Sequence, residues 1–426
     1  MEAGTGATVG RSTKIEVDYL ARVEGETALT IELDGTPFLQ LKIFEPPRFF
    51  EGFLVGRKYN EVGDIVARIC GICPISHMTT AILAVEKATG IQVSEQTTVL
   101  RHLFSVSQIL ASHLVHLYML AMPDYYGYPG VTGMLERFGE KVARCIRMKD
   151  AVNRLSGLIG GRALHPVTHL PGGFTSIPNP EAFGEVLEQL RSIRQDAEQV
   201  VRDVADFQLP DFFAPCEHVA LNTGGRYAIN EGRIVSDRGL DIAVDDYDAH
   251  FKEWEVPYAF AKQSAIAGRS IFRVGALARL NNKFDELQEH TKSLAQDVGL
   301  REPNYNPFYN NLAQSLEIVE GIEQCIAILE SRVFEEEEIY ASPEPGEGGA
   351  ATEAPRGLLY HWYRVNRKGV VEQAKIVTPT SHNFLVIERD LKELVTEHRD
   401  LDRDKLRLLC EQLVRAYDPC FSCSVH

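Results

Sequence analysis

The chain has 426 residues, of which 44% are hydrophobic and 24% charged, and its formal net charge is −16. This composition is typical of a globular protein with a large buried core, and the negative charge argues against a nucleic-acid-binding surface. No uninterrupted apolar run reaches the roughly 18 residues that span a bilayer, and the first residues lack the features of a signal peptide. Eight cysteines are too few for a disulfide scaffold. We therefore expect a cytoplasmic protein without a transmembrane segment.

The first half of the chain predicts a small sheet followed by long helices. Residues 1–12 are small and polar and predict a loose arm. Apolar residues then alternate with period two over 15–17, 29–33 and 39–43, and the pair Asp34-Gly35 predicts a hairpin turn between the last two runs. Helical spacing of apolar residues predicts a long buried helix over 97–122 and an amphipathic helix over 181–206.

The second half predicts hairpins between further helices. Residues 227–229 and 233–235 flank a turn at 230–232, and 358–364 and 370–377 flank a turn at 367–369. Amphipathic spacing predicts a helix over 312–338, with Glu335–338 as its solvated end, and a helical tract over 385–417. Residues 342–355, rich in Pro, Gly and Glu, predict a loop.

The pattern contains no internal repeat and no linker that would separate domains. We expect a single domain over 1–426 of the α+β class, mainly α, with a central bundle of long helices and small peripheral sheets.

Two C-x-x-C motifs, one near each end of the chain, are the strongest chemical signal. They place Cys70 and Cys73 in the first motif and Cys420 and Cys423 in the second. Two such pairs are typical of a metal site, and by spacing alone a tetrahedral zinc site is favoured, followed by an iron–sulfur cluster. A redox dithiol and a nickel site remain open. Because ordinary chain ends fray, ligands at residues 420–423 require a C-terminal segment that is buried at the metal site.

The residues around the two motifs resemble a known family. Residues 68–77 read R-I-C-G-I-C-P-I-S-H and residues 418–426 read D-P-C-F-S-C-S-V-H, which resemble the two nickel-binding motifs of [NiFe]-hydrogenase large subunits. Further matches follow in the family's order, among them R-V-E-G at 22–25, P-R-F-F-E at 47–51 and E-A-P-R-G at 353–357. The short forms at 22–25 and 47–51 look most like the cytoplasmic, bidirectional branch that is linked to NAD(P).

The resemblance implies a nickel–iron centre and a fold like that of the family's large subunit. Cys70 and Cys420 would be terminal nickel ligands, and Cys73 and Cys423 would bridge nickel to an iron that carries CO and two cyanide ligands. Heterolytic cleavage of H₂ needs a base beside the metals, and Cys420 would be the first proton acceptor. By the same resemblance Glu24 would be the proton gate, and Arg356 would overhang the metals.

The resemblance also implies a supporting set of residues. Glu51, 19 residues before Cys70, would bind Mg²⁺ (or iron) together with His426 and the backbone carbonyl near Ile376. His77 would hydrogen-bond a bridging sulfur, and Thr380, after Pro379, would hydrogen-bond a cyanide. Asp124, Pro355 and Asp418 would complete the shell around the metals.

All patterned cysteines are used at this centre, so electrons need another protein chain. The expected function is reversible H₂ cleavage, with H₂ and protons as substrates and electrons passed through an iron–sulfur small subunit to flavin- and NAD(P)-binding diaphorase subunits. Iron–sulfur clusters and flavin are thus expected only in partners, and Arg68 and the segment 162–165 are candidates for the small-subunit interface. The alternatives are a deazaflavin-linked or membrane-associated hydrogenase, an H₂ sensor, the quinone-site subunit of respiratory complex I, which lacks the four cysteines, and a non-catalytic Cys₄ zinc protein.

Overall fold

The computed structural model describes residues 14–33, 37–269, 271–339 and 341–426. The predicted arm over 1–12 and the predicted turn at Asp34-Gly35 lie outside the described residues. The strands are β1 Lys14–Val17, β2 Thr27–Glu32, β3 Phe38–Ile43, β4 His169–Leu170, β5 Gly173–Phe174, β6 Glu217–Asn222, β7 Arg233–Ser236, β8 Asp241–Ile242, β9 Phe251–Val256, β10 Ala259–Ile266, β11 Phe272–Arg273, β12 Gly346–Ala354, β13 Gly357–Val365 and β14 Val371–Val377.

The helices are α1 Phe50–Leu54, α2 Val62–Val66, α3 Pro74–Thr89, α4 Glu95–Val115, α5 Met122–Tyr126, α6 Val131–Gly160, α7 Pro180–Ser192, α8 Arg194–Ala205, α9 Tyr247–His250, α10 Ala276–Lys283, α11 Glu289–Asp297, α12 Asn310–Ser331, α13 Pro379–Glu397, α14 Arg403–Ala416 and α15 Phe421–Ser424. A π-helical turn, His116–Ala121, joins α4 to α5. The predicted α+β, mainly α class is confirmed.

A bundle of long helices forms the centre of the fold. Helices α4, α6, α7, α8 and α12 pack against one another and share the largest hydrophobic cluster. Helix α4 begins at Ser94, whose hydroxyl accepts a hydrogen bond from Thr97 N, as a good N-cap does. The predicted helix over 97–122 is confirmed, and its π-helical turn precedes Pro123, which has no N–H to continue the α-helical pattern.

One described helical stretch, Glu95–Tyr126, is long and apolar enough to cross a membrane. However, 78% of its most apolar window is buried inside the protein. Its composition is therefore accounted for by its place in the central bundle.

Small sheets surround the bundle, in the strand orders β1-β2-β3, β4-β5, β11-β6-β7-β8, β10-β9 and β12-β13-β14. The pairing of β2 with β3 confirms the first predicted sheet, and the pairing of β13 with β14 confirms the hairpin about 367–369. Neighbouring strands are antiparallel except for β6 and β11, which are parallel.

The prediction of a loop over 342–355 is wrong for most of its length, because β12 occupies Gly346–Ala354. This strand lies directly against α3. A Cβ at Gly348 would come within 2.6 Å of Ala88 N, and one at Gly346 within 2.5 Å of Ala88 O. Glycine, which weakens isolated strands, is here what lets strand and helix backbones touch.

The predicted hairpin around 230–232 is also wrong. Strand β7 pairs with β6 rather than with residues 227–229, which form no strand. The backbone of those residues instead bonds to distant groups: Ile229 O accepts from Glu353 N, and Ala228 O accepts from Lys283 Nζ.

Three helix predictions need new boundaries. The predicted helices over 181–206 and 385–417 are each two helices, α7 with α8 and α13 with α14. The helix predicted over 312–338 ends at Ser331, so Glu335–338 is not a helix end. Glu337 instead accepts hydrogen bonds from the hydroxyls of Ser94 and Thr97, where a carboxylate faces the positive end of α4.

The contact between β12 and α3 gives a stability test. We expect Gly348→Ala to lower the free energy of unfolding by about 1–3 kcal/mol, because its Cβ would meet backbone atoms that cannot rotate away. Gly184→Ala in α7, where a Cβ meets nothing within 4 Å, should be neutral or stabilise by about 0.5–1 kcal/mol. Chemical unfolding of the purified protein measures both, and equal effects would contradict the close approach.

Candidate metal centre

The two C-x-x-C motifs meet in the interior, as predicted. The ligand atoms of Cys70, Cys73, Cys420 and Cys423 all lie within 4.8 Å of one another, and each residue is at most 4% exposed. Cys70 Sγ lies 3.6 Å from Cys420 Sγ, Cys73 Sγ lies 3.6 Å from Cys423 Sγ, and the sulfurs of Cys420 and Cys423 are in contact.

Tight turns at both ends of the chain bring the sulfurs together. The first motif lies between α2 and α3, and Pro74 starts α3 directly after Cys73, a favoured position for proline. The second motif follows α14 through Asp418, whose φ of 48° is left-handed. An isolated parallel bridge joins Cys420 to Glu24, with Phe421 N donating to Glu24 O at 2.8 Å. The C-terminal segment is thus attached to the N-terminal R-V-E-G stretch.

The first motif is built to hold negative charge on sulfur. Cys70 Sγ accepts hydrogen bonds from the backbone N–H groups of Ile72 and Cys73, both at 3.2 Å. The hydrogen bond with the Cys73 side chain lowers the pKa of the Cys70 thiol, whereas the same contact together with burial raises the pKa of Cys73. Cys70 is therefore favoured as a thiolate even without a metal, and a bound cation would stabilise the thiolate forms of both Cys70 and Cys73.

Glu24 is the acidic group nearest to the second motif. Cys420 Sγ donates to Glu24 Oε2 at 2.7 Å. Burial raises the pKa of Glu24, and this effect outweighs the opposing charge of Arg356. A carboxyl group that is partly desolvated and bonded to a thiol can exchange a proton with it.

Arg356 occupies the tight turn between β12 and β13. Its Nε donates to Asp418 O at 2.8 Å, and its Nη2 lies 3.1 Å from Asp418 Oδ1. Burial opposes its charge, but Asp418 and the nearby cysteines outweigh that effect and raise the pKa of Arg356. Its Nη1 is buried without a hydrogen-bond partner among the described residues. The guanidinium is therefore fixed in place with one donor left unused.

A buried charge network that the sequence did not reveal holds this turn. Arg279 is fully buried and forms ion pairs with Glu317 and Glu353. Its Nη1 and Nη2 also donate to Ala354 O and Pro355 O, both at 3.0 Å. Pro355, predicted at the site, thus acts in this structure through its carbonyl. Nothing in the local sequence around Arg279 marks it, because its partners are 38 and 74 residues away.

The last residues are fixed by several contacts. Arg48 N donates to Val425 O at 3.0 Å, and the Arg48 side chain donates to Ile69 O and Ser422 O. The role of Arg48 was not predicted, although it lies in the matched P-R-F-F-E stretch. It connects the two cysteine motifs directly.

Glu51, Ile376 and His426, predicted as ligands of a second metal, lie close together near the surface. Ile376 N donates to Glu51 Oε1 at 2.7 Å, and His426 Nε2 lies 2.9 Å from Ile376 O and 3.9 Å from Glu51 Oε1. Burial opposes the charge of Glu51, but the neighbouring His426 and the hydrogen bond from Ile376 N lower its pKa overall.

The remaining predicted residues have different positions. Thr380, the second residue of α13 after Pro379, accepts a hydrogen bond from Cys420 N at 2.8 Å. His77 Nδ1 lies 3.2 Å from His361 Nε2, and burial lowers the pKa of His77 to about 3, so the ring is neutral. Its hydrogen bond to sulfur stays a prediction.

Among the described residues, Asp124 forms no hydrogen bond with a cysteine. It forms ion pairs with Arg22 and with Arg415, the latter at 2.6 Å. Because Arg22 begins the R-V-E-G stretch and Arg415 lies in α14, Asp124 connects the two segments that form the Glu24–Cys420 bridge.

The residues present fit a nickel–iron centre. Four buried sulfurs this close together form a ligand set for soft metals, and the unused Arg356 Nη1 is a donor that a polar ligand on such a metal would satisfy.

Comparisons with known proteins agree with this geometry. The family described as Nickel-dependent hydrogenase matches residues 48–133 and 308–426. The alpha chain of sulfhydrogenase 1 from Pyrococcus furiosus is 35% identical to this chain over 97% of each protein. The vhu F420-non-reducing hydrogenase protein of Methanocaldococcus jannaschii is 29% identical, covering 89% of this chain and 98% of its own length.

Solved structures show the same fold. A crystal structure of an NAD⁺-reducing [NiFe]-hydrogenase in the H₂-reduced state superposes with a TM-score of 0.85 at 25% identity, covering 97% of this chain and 99% of its own. The Ni-Fe-Se hydrogenase of D. vulgaris Hildenborough superposes with a TM-score of 0.79 at 23% identity, covering 97% of this chain and all of its own. The chain therefore belongs to the nickel-dependent hydrogenase family and is the catalytic large subunit of a [NiFe]-hydrogenase.

Proposed function

We propose that this subunit cleaves and forms H₂ in a cytoplasmic complex that exchanges electrons with NAD(P)(H) through diaphorase subunits and an iron–sulfur small subunit. The observation that carries the chemistry is the buried four-cysteine cluster with Glu24 bonded to Cys420 and an unused guanidinium donor on Arg356. The link to NAD(P) is supported by the likeness to the NAD⁺-reducing hydrogenase structure over nearly the whole of both chains.

In this proposal Cys70 and Cys420 are terminal nickel ligands, and Cys73 and Cys423 bridge to an iron with CO and two cyanide ligands. When bound, the metal pair supplies the electrophilic site at which H₂ is split heterolytically. Arg356 would donate its free Nη1 to a cyanide ligand and orient H₂, and it would not act as a base because guanidinium groups stay protonated. Thr380 and His77 would hydrogen-bond the other cyanide and a bridging sulfur, respectively.

The proton path in this proposal starts on the protein. Cys420 Sγ would hold the proton released from H₂ and pass it to Glu24 Oε2, which is 2.7 Å away. The raised pKa of Glu24 brings its carboxyl group closer to the range in which it can both accept and release that proton.

We further propose that Mg²⁺ or iron lies between Glu51, the carbonyl of Ile376 and His426. Both ring nitrogens of His426 face carbonyl oxygens: Nδ1 lies 2.7 Å from Cys423 O, and Nε2 lies 2.9 Å from Ile376 O. A cation bound by the Nε2 lone pair would have the Ile376 carbonyl and the Glu51 carboxylate beside it. An open cavity of about 470 Å³ lined by Glu51 and His426 gives it access.

The small subunit would dock beside the first cysteine motif, because electrons must leave the metals over a short distance. His165 Nδ1 lies 2.9 Å from Ala67 O, so the segment 162–165 is attached to the residues that precede Cys70. Leu164 and Val167 are 50% and 52% exposed, and Arg68 is exposed beside Ala67. Apolar side chains in this position are typical of the core of an interface.

A second candidate function is H₂ oxidation coupled to an acceptor other than NAD(P). It is favoured by the relatives themselves, which include sulfhydrogenases and F420-non-reducing hydrogenases. The centre would be the same and only the partner subunits would differ.

The first prediction concerns the centre and its acceptor. The anaerobically purified complex should show one metal-bound CO band and two cyanide bands in the infrared, contain nickel, and reduce NAD⁺ or NADP⁺ under H₂. Reduction of an artificial acceptor without NAD(P) reduction would favour the second candidate. A blank infrared spectrum with equimolar zinc would contradict both.

The second prediction concerns Arg356. Arg356→Lys keeps the positive charge but removes the planar guanidinium, which contacts Asp418 and has a free donor at Nη1. H₂ oxidation should therefore fall by about 100-fold or more. The infrared bands should persist, although the cyanide bands should shift. Arg364→Lys on the same hairpin, whose side chain is 44% exposed and pairs with Glu347, is the matched control and should retain full activity. Near-normal activity of Arg356→Lys would exclude the proposed role.

The third prediction concerns the second cation. Glu51→Gln removes a charged ligand and should lower the bound magnesium or iron and the melting temperature, because a ligand that binds only the folded state stabilises it. A chelator should lower the melting temperature of the unmodified protein but not that of Glu51→Gln. Glu61→Gln is the control: it changes an exposed carboxylate that accepts a hydrogen bond from Lys58 N, and it should bind as much cation as the unmodified protein. Unchanged cation content in Glu51→Gln would rule out the site.

A further inference from the structure

His116 is a buried histidine with a hydrogen-bonding partner at each ring nitrogen. It is 1% exposed and is the first residue of the π-helical turn that joins α4 to α5. Its Nδ1 is hydrogen-bonded to Gln314 Oε1, and its Nε2 lies 2.7 Å from Arg415 O. Gln314 Nε2 in turn donates to Asp418 Oδ2 at 3.0 Å. The ring therefore connects the central bundle to the segment that leads to Cys420.

The partners of His116 require a hydrogen on both ring nitrogens. A backbone carbonyl such as Arg415 O only accepts hydrogen bonds, so Nε2 has to donate. Asp418 forms an ion pair with Arg356, so its carboxylate also only accepts. Gln314 therefore turns its NH₂ group towards Asp418 and its oxygen towards His116, and Nδ1 has to donate as well. A neutral imidazole has one N–H and would set two lone pairs against each other, whereas an imidazolium satisfies every contact.

The surroundings of the ring stabilise a positive charge. Nε2 of His116 lies 4.0 Å from Asp418 Oδ1, the one carboxylate within ion-pair distance of this ring in the described part of the chain. Arg415 lies in the last turn of α14, so the ring faces the negative end of that helix. Hydrogen bonds donated by a charged group are stronger than neutral ones and offset the cost of burial. His113, one turn earlier, is bonded to Glu317, and burial lowers its pKa, so that ring adds no second charge.

We propose that His116 is a buried imidazolium that fixes Asp418 and, through Asp418, positions the guanidinium of Arg356 beside the cysteine cluster. The inference rests on the proposed function, in which Arg356 donates to a ligand of the metals. His116 is a positioning residue, because the groups it bonds to are Gln314 and Arg415 O and not the reacting atoms.

The contacts of Asp418 show why the charge on the ring matters. Asp418 lies two residues before Cys420, and its left-handed φ of 48° is a conformation that its surroundings have to hold. Its backbone oxygen accepts from Arg356 Nε at 2.8 Å, its Oδ1 lies 3.1 Å from Arg356 Nη2, and its Oδ2 accepts from Gln314. A neutral ring would remove one cation beside Asp418 and leave Gln314 without a donor at its oxygen. Arg356 would then be held less firmly.

The charge on the ring can be measured directly in the unmodified complex. Neutron diffraction from a crystal exchanged into D₂O locates deuterium on individual nitrogen atoms. We expect deuterium on both Nδ1 and Nε2 of His116, and the deuterated amide nitrogen of Gln314 facing Asp418. Deuterium on only one ring nitrogen would overturn the proposal. This measurement depends neither on activity nor on the assembly of a variant.

The positioning role is tested with His116→Gln in the purified complex. One amide cannot donate to both partners of the ring and carries no charge. H₂ oxidation with an artificial acceptor should therefore fall by about tenfold, and the cyanide bands should shift. His102→Gln makes the same change on the same helix, at a half-buried histidine that is bonded to Gln324. This control should keep the rate and the infrared bands of the unmodified complex.

A double variant separates positioning of Arg356 from general stabilisation. Because His116 acts through Asp418 on Arg356, adding His116→Gln to Arg356→Lys should lower the rate by less than about twofold further. A further tenfold loss in Arg356→Lys, or an unchanged rate and unchanged bands in His116→Gln alone, would overturn the positioning role. Absence of the CO and cyanide bands from the unmodified complex would instead contradict the proposed function, so the two failures are distinguishable.

Discussion

The attachment of the last nine residues to the protein interior is the constraint on which the rest of the site depends. Two of the four clustered cysteines lie on a segment that would fray if it had only its own helix to hold it. Backbone bonds to Glu24 and Arg48 and a side-chain bond to Thr380 fix this segment from three separate parts of the chain. Since ordering each residue costs about 1–2 kcal/mol of conformational entropy, several independent attachments are needed to keep the cluster assembled.

Buried charges set the geometry of the attachments. Asp124 is held between Arg22 and Arg415, and Arg279 is held between Glu317 and Glu353. Such pairs add little net stability, because the cost of removing two charges from water offsets their attraction. Breaking one is nevertheless costly, since the partner would be left buried and unpaired. They therefore act here as fixed points: one positions the segment that carries Glu24, the other the turn that carries Arg356.

The sequence predicted that the four cysteines meet, but it did not predict much of the supporting structure, for physical reasons. Cysteine spacing and flanking residues are local patterns, and the structure confirms that the four sulfurs meet. The role of Arg279 in holding the turn could not be recognised from the sequence. Its partners Glu317 and Glu353 are 38 and 74 residues away and come beside it only in the folded chain. Strand β12 was mistaken for a loop because glycine usually weakens strands, whereas here its missing side chain lets β12 touch α3. Likewise the acidic run at 335–338 looked like a helix surface until its contact with the start of α4 was known.

The two cysteine motifs have different neighbours, and this difference separates the proposed routes of electrons and protons. The first motif adjoins the segment 162–167, where apolar side chains are exposed, and no carboxyl group is hydrogen-bonded to its sulfurs among the described residues. The second motif adjoins Glu24, whose carboxylate lies 2.7 Å from Cys420 Sγ. Electrons can cross apolar packing to a partner chain, but protons need donor and acceptor groups in contact at every step. A centre built from both ends of the chain can therefore give each particle its own surroundings, because the two motifs are free to carry different flanking residues.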